Sequence, residues 1–223
     1  MEYQSPLAHL EPDRDCPLCP RLVAFREQCR EEYPDWWNAP VPVFGDGGAW
    51  LGIVGLAPGK HGANRTGRPF TGDYAGDLLF ATLAKFGLSE GEYDSRPDDG
   101  LRLKGTVIVN SVKCLPPENK PVPAEINACR RYLTAQLDAL AELRVFIALG
   151  KIAHDSFVRY VLARAGGGRL ADYRFGHGAK HQLPDGRMLI DSYHCSRYNT
   201  NTGRLTPEMF EEVFAAALAA RSA

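Results

Sequence analysis

Residues 50–86, WLGIVGLAPGKHGANRTGRPFTGDYAGDLLFATLAKF, join an apolar run, a bare basic loop and an amphipathic segment end to end. The run at 50–56 is short, rich in aliphatic residues and without alternation, which is the pattern of a strand buried on both faces. The segment 74–86 repeats its apolar residues every three to four positions and stops before Gly87, the pattern of a helix closed by a glycine cap. Between them, residues 55–73 hold five glycines, two prolines and four cationic or imidazole side chains. Strand, loop and helix in this order make half of a βαβ unit.

The unit recurs along the chain. Residues 106–112 (TVIVNSV), 144–149 (RVFIAL) and 188–193 (MLIDSY) read as three further buried strands, with helical patterns at 123–143, 151–165 and 207–220. Residues 19–33 also read as a helix. The expected fold is a three-layer α/β/α sandwich around a central four-stranded parallel sheet. The first 45 or so residues are expected to pack on this core as part of a single domain spanning 1–223. Residues 89–104, polar and acidic, read as a surface excursion. In such sheets ligands bind beyond the carboxyl ends of the strands. The stretches 55–73, 110–121 (NSVKCLPPENKP) and 194–206 (HCSRYNTNTGRLT) all follow strands and would converge there.

Composition narrows the function classes. The 223 residues are 44% hydrophobic and 24% charged, with a formal net charge of -1, so no global field draws the protein to polyanions. Any affinity for nucleic acid must come from local clusters of Lys and Arg. No apolar run of about 18 residues is available to span a bilayer, and the first fifteen residues lack a signal-peptide pattern. A cytoplasmic protein without membrane contact is expected.

In that compartment six cysteines suggest metal or reactive sulfur rather than disulfides. Cys16 and Cys19 form a CxxC pair, and Cys114 and Cys129 lie farther along in basic, Pro-rich sequence. Four such thiolates suit either zinc or an iron–sulfur cubane. The wide spacing of the second pair favours the cluster, while four unconnected buried cysteines are the plain alternative. Cys29 reads as core, and Cys195 as a small residue beside His194. The histidines of HGAKH at 177–181 read as backbone- or water-bonded in a polar turn.

CPLCPRLVAFRE (16–27), GLAPGKHGANRTGRPFTGD (55–73), VKCLPPENKPVPAEINAC (112–129), ALGKIA (148–153) and SYHCSRYNTNTGRLT (192–206) resemble, in this order, the iron–sulfur uracil-DNA glycosylases. The resemblance is strongest to the family 5 (B-type) enzymes of bacteria and archaea and covers the chain from Cys16 to its last helix. It implies a uracil-DNA glycosylase-like fold and a [4Fe–4S] cluster on Cys16, Cys19, Cys114 and Cys129, with structural zinc as the alternative. The implied substrate is DNA containing uracil or other deaminated bases such as hypoxanthine. It also implies a monomer associated with the bacterial or archaeal nucleoid.

The residues fit that chemistry. A glycosylase extrudes its target base into a pocket, and needs an aromatic face, polar groups for the base edge and close approach of backbone to phosphate. Gly59, Gly62 and Gly67 permit the approach, Gly55, Ala57 and Gly59 are expected to line the base pocket, Phe70 is the implied stacking ring, and Asn110 is implied to read the uracil edge. His194 matches the family histidine that donates to uracil O2, where negative charge develops as the base departs. Asp73 is implied to orient water or stabilise positive charge on the sugar, although it can equally cap the helix that follows. Lys60, His61, Arg65, Arg68 and Asn119 are candidate backbone contacts. Ser196, Arg197, Tyr198 and Asn199 match the loop that enters the groove beside the vacated base. The family 1 enzymes carry Asp where this chain has Ala57, and the family 4 enzymes carry Glu where it has Leu56. That departure shifts water activation to Asp73. The rival readings are a family 4-type enzyme and a non-catalytic cluster-bearing nucleic-acid binder.

Overall fold

The computed structural model describes residues 5–221. In chain order the elements are α1 (Pro20–Glu32), β1 (Phe44–Gly45), β2 (Leu51–Gly55), α2 (Ala63–Thr66), α3 (Tyr74–Lys85), β3 (Ser89–Glu90), β4 (Arg102–Leu103) and β5 (Thr106–Asn110). They continue with α4 (Pro123–Ala139), β6 (Val145–Leu149), α5 (Lys151–Arg164), β7 (Lys180–Gln182), β8 (Met188–Ser192), α6 (Arg197–Asn201) and α7 (Pro207–Arg221). The main sheet runs β1-β5-β2-β6-β8-β7. Its four central strands are parallel, and short antiparallel strands β1 and β7 close the two edges. The expected four parallel strands are therefore the middle of a six-stranded mixed sheet. Two- and three-residue strands such as Lys180–Gln182 are too short and too polar to carry a readable pattern.

Side chains along each parallel strand alternate between two cores, as the pleat requires. Leu51, Ile53, Ile108, Val145, Ile147 and Ile190 face Leu79, Phe80 and Leu83 of α3 and Phe210 and Phe214 of α7. Val54, Val107, Val109, Phe146 and Ala148 face Leu133 and Leu137 of α4 and Phe157, Val158 and Val161 of α5. Helices thus cover both faces, which is why the strands read as continuous apolar runs. A third cluster, Leu22 with Val112 and Cys129, ties α1 to the chain beyond β5 and to α4.

The excursion at 89–104 departs from expectation. It forms the hairpin β3–β4 and returns two groups to the interior. Tyr93 packs on Phe80 with ring centroids 4.5 Å apart. Asp99 accepts two 2.7 Å bonds from Arg68, a pair whose side chains are 2% and 1% exposed. Arg68 also lies over the rings of Phe44, Phe80 and Tyr93. Acidic composition suggested solvent here; the carboxylate instead neutralises a buried guanidinium.

Register fixes the floor of the site. β2 and β5 pair so that Gly55 sits opposite Asn110. A Cβ at Gly55 would overlap Asn110 Oδ1 and come within 3.1 Å of the Phe70 ring. Only glycine lets strand, amide and ring meet.

Candidate active site

At the carboxyl ends of the strands a cavity of about 800 Å³ opens, lined by Ala57, Gly59, His61, Phe70, Asp73, Asn110, Asn119, His194, Ser196 and Arg197 among others. Three loops supply them, as expected of a parallel sheet.

The first loop folds around its glycines. Gly67 ends α2 in the left-handed conformation, at φ 76°. Phe70 also lies there, at φ 53°, a strained position for a non-glycine residue. Its carbonyl accepts a 3.2 Å bond from the Tyr93 hydroxyl and is backed by Gly76, where any Cβ would collide with it. The Phe70 ring is thereby fixed on the cavity wall. It faces the His194 imidazole at a centroid separation of 6.0 Å, 28° from parallel.

Asp73 divides its carboxylate between two tasks. Oδ1 accepts from the Gly76 amide at 3.3 Å and caps α3. Oδ2 turns the other way, 3.0 Å from where a Gly59 Cβ would stand and in the space that a Gly62 Cβ would fill. Burial pushes this carboxyl above the ordinary carboxylate value, while amides of the first turn pull it back. Cap and free oxygen coexist in one side chain.

Asn110, at the end of β5, is buried, and its Oδ1 has no hydrogen-bond partner among the described residues. Buried polar atoms are nearly always paired, so an orphan on a residue that lines the cavity marks a place for a ligand donor.

His194 follows β8. Loss of water around the ring holds its imidazole down to about 4, so it is neutral at physiological pH. Its backbone is held on three sides. Asn199 Nδ2 donates to the His194 carbonyl at 2.8 Å, the Tyr193 amide donates to His177 Nδ1 at 3.1 Å, and Cys195 Sγ donates to the Ala75 carbonyl at 3.4 Å. His177 is backbone-bonded, as its sequence context suggests, whereas His181 instead bonds the Asp191 carboxylate, and the contact of Cys195 crosses from one loop to another, where spacing carries no signal. Ser196 caps α6 by accepting from the Asn199 amide. Both Ser196 and Asn199 are therefore engaged in holding the loop itself.

The cations divide. Arg197 is exposed with its guanidinium 5.3 Å over Tyr74, and Tyr198 is 72% exposed at the tip of the loop. Arg65 is exposed and bonds the His61 carbonyl at 2.9 Å. Lys60 is tied to Glu32 at 3.2 Å and lies over the Tyr33 ring. His61 packs edge-on against Trp36. Asn119, exposed at φ 56°, reaches the rim of the cavity. Arg68 corrects the sequence reading. It is 1% exposed and bidentate to Asp99, so it braces the loop from beneath and does not reach the cavity surface.

A second cavity, of about 20 Å³, is lined by Cys16, Cys19, Cys114 and Cys129 with Leu22, Val112, Arg26 and Tyr132. Cys29 and Cys195 lie elsewhere and are fully buried. Burial pushes the Cys19 thiol up to about 11 and the Cys114 thiol up to about 12, and raises Cys129. One tetrahedral zinc with Zn–S bonds of about 2.3 Å would draw its sulfurs to about 3.8 Å of one another. Among the described residues, the only three metal-ligating side chains with atoms all within 4.8 Å are His154, His181 and Asp191. The four cysteines share one cavity, and no three of their sulfurs lie within that distance of one another.

The histidine set is differently occupied. His154 Nδ1 lies 2.7 Å from Asp191 Oδ1, its Nε2 lies 2.8 Å from the Tyr173 carbonyl, and His181 Nε2 lies 3.0 Å from Asp191 Oδ2. With both His154 nitrogens taken, this group clamps the 173–181 segment to β8.

Residues 42–218 match the family model for the uracil DNA glycosylase superfamily. Over 205 residues the chain is 49% identical to a type-5 uracil-DNA glycosylase of Thermus thermophilus, covering 89% of this chain and 90% of that one. It is 41% identical over 206 residues to a type-5 enzyme of Mycobacterium tuberculosis, covering 89% and 75%. A type-5 enzyme of Pyrobaculum aerophilum is 41% identical over 209 residues, covering 92% and 88%.

Proposed function

The chain belongs to the uracil-DNA glycosylase superfamily, and we infer that it is a type-5 enzyme that removes uracil from DNA by hydrolysing the N-glycosidic bond, as a step of DNA repair. The residue-level observation that carries this reading is the unpartnered Oδ1 of Asn110, a residue that lines the cavity together with Phe70 and His194.

A base extruded from the duplex stacks on Phe70, a contact worth about 1–3 kcal/mol. Asn110 Oδ1 accepts from uracil N3–H while its amide donates to O4. Cytosine offers an acceptor at N3 and an amino group at C4, and both clash with that pattern. As the glycosidic bond stretches, electrons flow onto the pyrimidine and positive charge grows on the sugar. His194, neutral because the cavity desolvates it, donates to O2 where the charge collects, a contribution of roughly 10²–10³ in rate. Asp73 Oδ2, the oxygen not used in capping, orients water or faces the sugar cation. No carboxylate stands at Leu56 or Ala57 to share that role.

Arg197 and Tyr198 are exposed enough to enter the groove and fill the gap left by the base, with His61 and Asn119 at the cavity and Arg65 and Lys60 in the same loop for the DNA backbone. Hypoxanthine repeats the uracil edge with its N1–H and O6, and a cavity of about 800 Å³ has room for a purine. Deaminated purines are therefore substrates as well. All these groups come from one chain, which acts as one glycosylase domain and a monomer, alongside the chromosome. Cys16, Cys19, Cys114 and Cys129 hold a [4Fe–4S] cluster, which when bound cross-links α1, the 111–122 loop and α4. The four cysteines sharing one cavity support this.

Release of free base from single- and double-stranded oligonucleotides carrying uracil, hypoxanthine or cytosine tests the reading. Uracil and hypoxanthine should be freed with the strand left intact, and cytosine retained. Tight binding without base release would favour a non-catalytic DNA binder instead.

A further inference from the structure

Two cations are buried at the lining of the cysteine cavity with side-chain nitrogens that no hydrogen bond engages among the described residues. Lys113 is 1% exposed, and its Nζ has no hydrogen-bond partner among the described residues. Arg26 is 6% exposed, and its Nε is likewise unpartnered. Of the acids near them, Glu11 acts on Lys113 through its charge but takes its hydrogen bonds from other groups, and Asp15 is paired with another arginine. Glu11 accepts from the Ser5 hydroxyl, the Val43 amide and the Gln136 amide nitrogen, at 2.8, 2.7 and 2.7 Å. Asp15 is held by Arg30 at 2.6 Å.

Sulfur lies beside both residues. Arg26 Nη1 lies 3.9 Å from Cys114 Sγ, and its two terminal nitrogens reach the Cys16 carbonyl at 3.3 Å. The Lys113 backbone amide donates to Cys129 Sγ at 3.3 Å, and Lys113 is among the residues that line the same cavity. A buried cation is retained only where an anion balances it. Four neutral thiols do not, but four thiolates on an oxidised cubane make a dianion. Arg26 and Lys113 bring positive charge to that dianion, with Glu11 offsetting part of it.

Resting on the cluster reading above, we propose that Lys113 and Arg26 are the counter-cations of the [4Fe–4S] site, which retain the cluster and hold its one-electron reduction potential up. Adding an electron makes the site more negative, so a neighbouring cation favours the reduced form, and net charge and hydrogen bonds to sulfur are the levers that set such potentials. Arg26 acts through both charge and a bond toward Cys114. Lys113 acts through charge alone.

The test uses full-length protein purified without oxygen, as wild type, Lys113→Met, Lys113→Arg and Arg26→Gln. Iron and acid-labile sulfide are assayed per chain, the potential is read by voltammetry with the electrode as electron source, and cluster loss to a chelator is timed. Wild type should carry both iron and sulfide; if it carries neither, the cluster reading itself falls. Lys113→Met and Arg26→Gln should shift the potential negative and lose the cluster about 10- to 100-fold faster. Lys113→Arg should restore both readouts. Loaded variants with wild-type potential and retention would overturn the proposal. So would a Lys113→Arg protein that fails like Lys113→Met, since packing rather than charge would then be at work.

Discussion

Replacing Asn110 by Ala separates function from stability, because the two should move in opposite directions. The substitution deletes a side chain whose Oδ1 is buried and unpartnered. An unsatisfied buried polar group costs about 1–3 kcal/mol, and the truncated side chain borders a cavity that is already open, so little packing is lost. The unliganded protein should be as stable as wild type or more so. With substrate the sign reverses. Two hydrogen bonds to the uracil edge disappear, each worth about 1–2 kcal/mol in a desolvated site. The sum, about 2–4 kcal/mol, corresponds to a loss of about 30- to 1,000-fold in kcat/KM for uracil. Steady-state uracil release and thermal unfolding of the same preparation measure both sides. A variant that melts several degrees lower would show that Asn110 is a structural amide. Undiminished kcat/KM would show that it reads nothing.

Asp73→Asn should keep the cap, since Asn serves as N-cap as well as Asp, and leave stability within about 1 kcal/mol. Activity should fall about 10²–10⁴-fold, as read by single-turnover release; loss of stability in step with activity would reduce Asp73 to a cap. Arg68→Met strands the Asp99 carboxylate in the interior and should cost about 3–5 kcal/mol in denaturant unfolding. The folded fraction should keep the salt dependence of DNA binding, and a shallower slope would return Arg68 to the interface. Arg197→Ala should reduce the slope of log K against log salt by about one, while Tyr198→Ala should impair uracil release from duplex more than from single strands. Equal losses on both substrates would remove Tyr198 from the gap.

The three layers were legible because both faces of the sheet are covered. Residues such as Ile53 and Val54 serve opposite cores, so the strand reads as a continuous apolar run. The edge strands were not legible, because a pair such as Phe44–Gly45 is defined by its backbone partners and not by its own composition. Motif and position at strand ends pointed to Phe70, Asp73, Asn110 and His194, and one cavity brings them together. Their states were not legible: the orphaned Oδ1, the divided carboxylate and the desolvated imidazole each arise from how the chain folds back around them. Arg68 shows the limit most sharply. A guanidinium in a basic loop reads as a phosphate contact until Asp99, 31 residues away, takes both of its ends. Lys113 and Arg26 escaped notice for the same reason, since burial beside sulfur leaves no mark on local spacing.

The account turns on charge gathered by an imidazole at the departing base. Uracil release by His194→Ala, under single-turnover conditions on a single-stranded oligonucleotide, measures this most directly. A fall of roughly 10²–10³ with binding of the oligonucleotide preserved is the expected result. Release at the wild-type rate would contradict it.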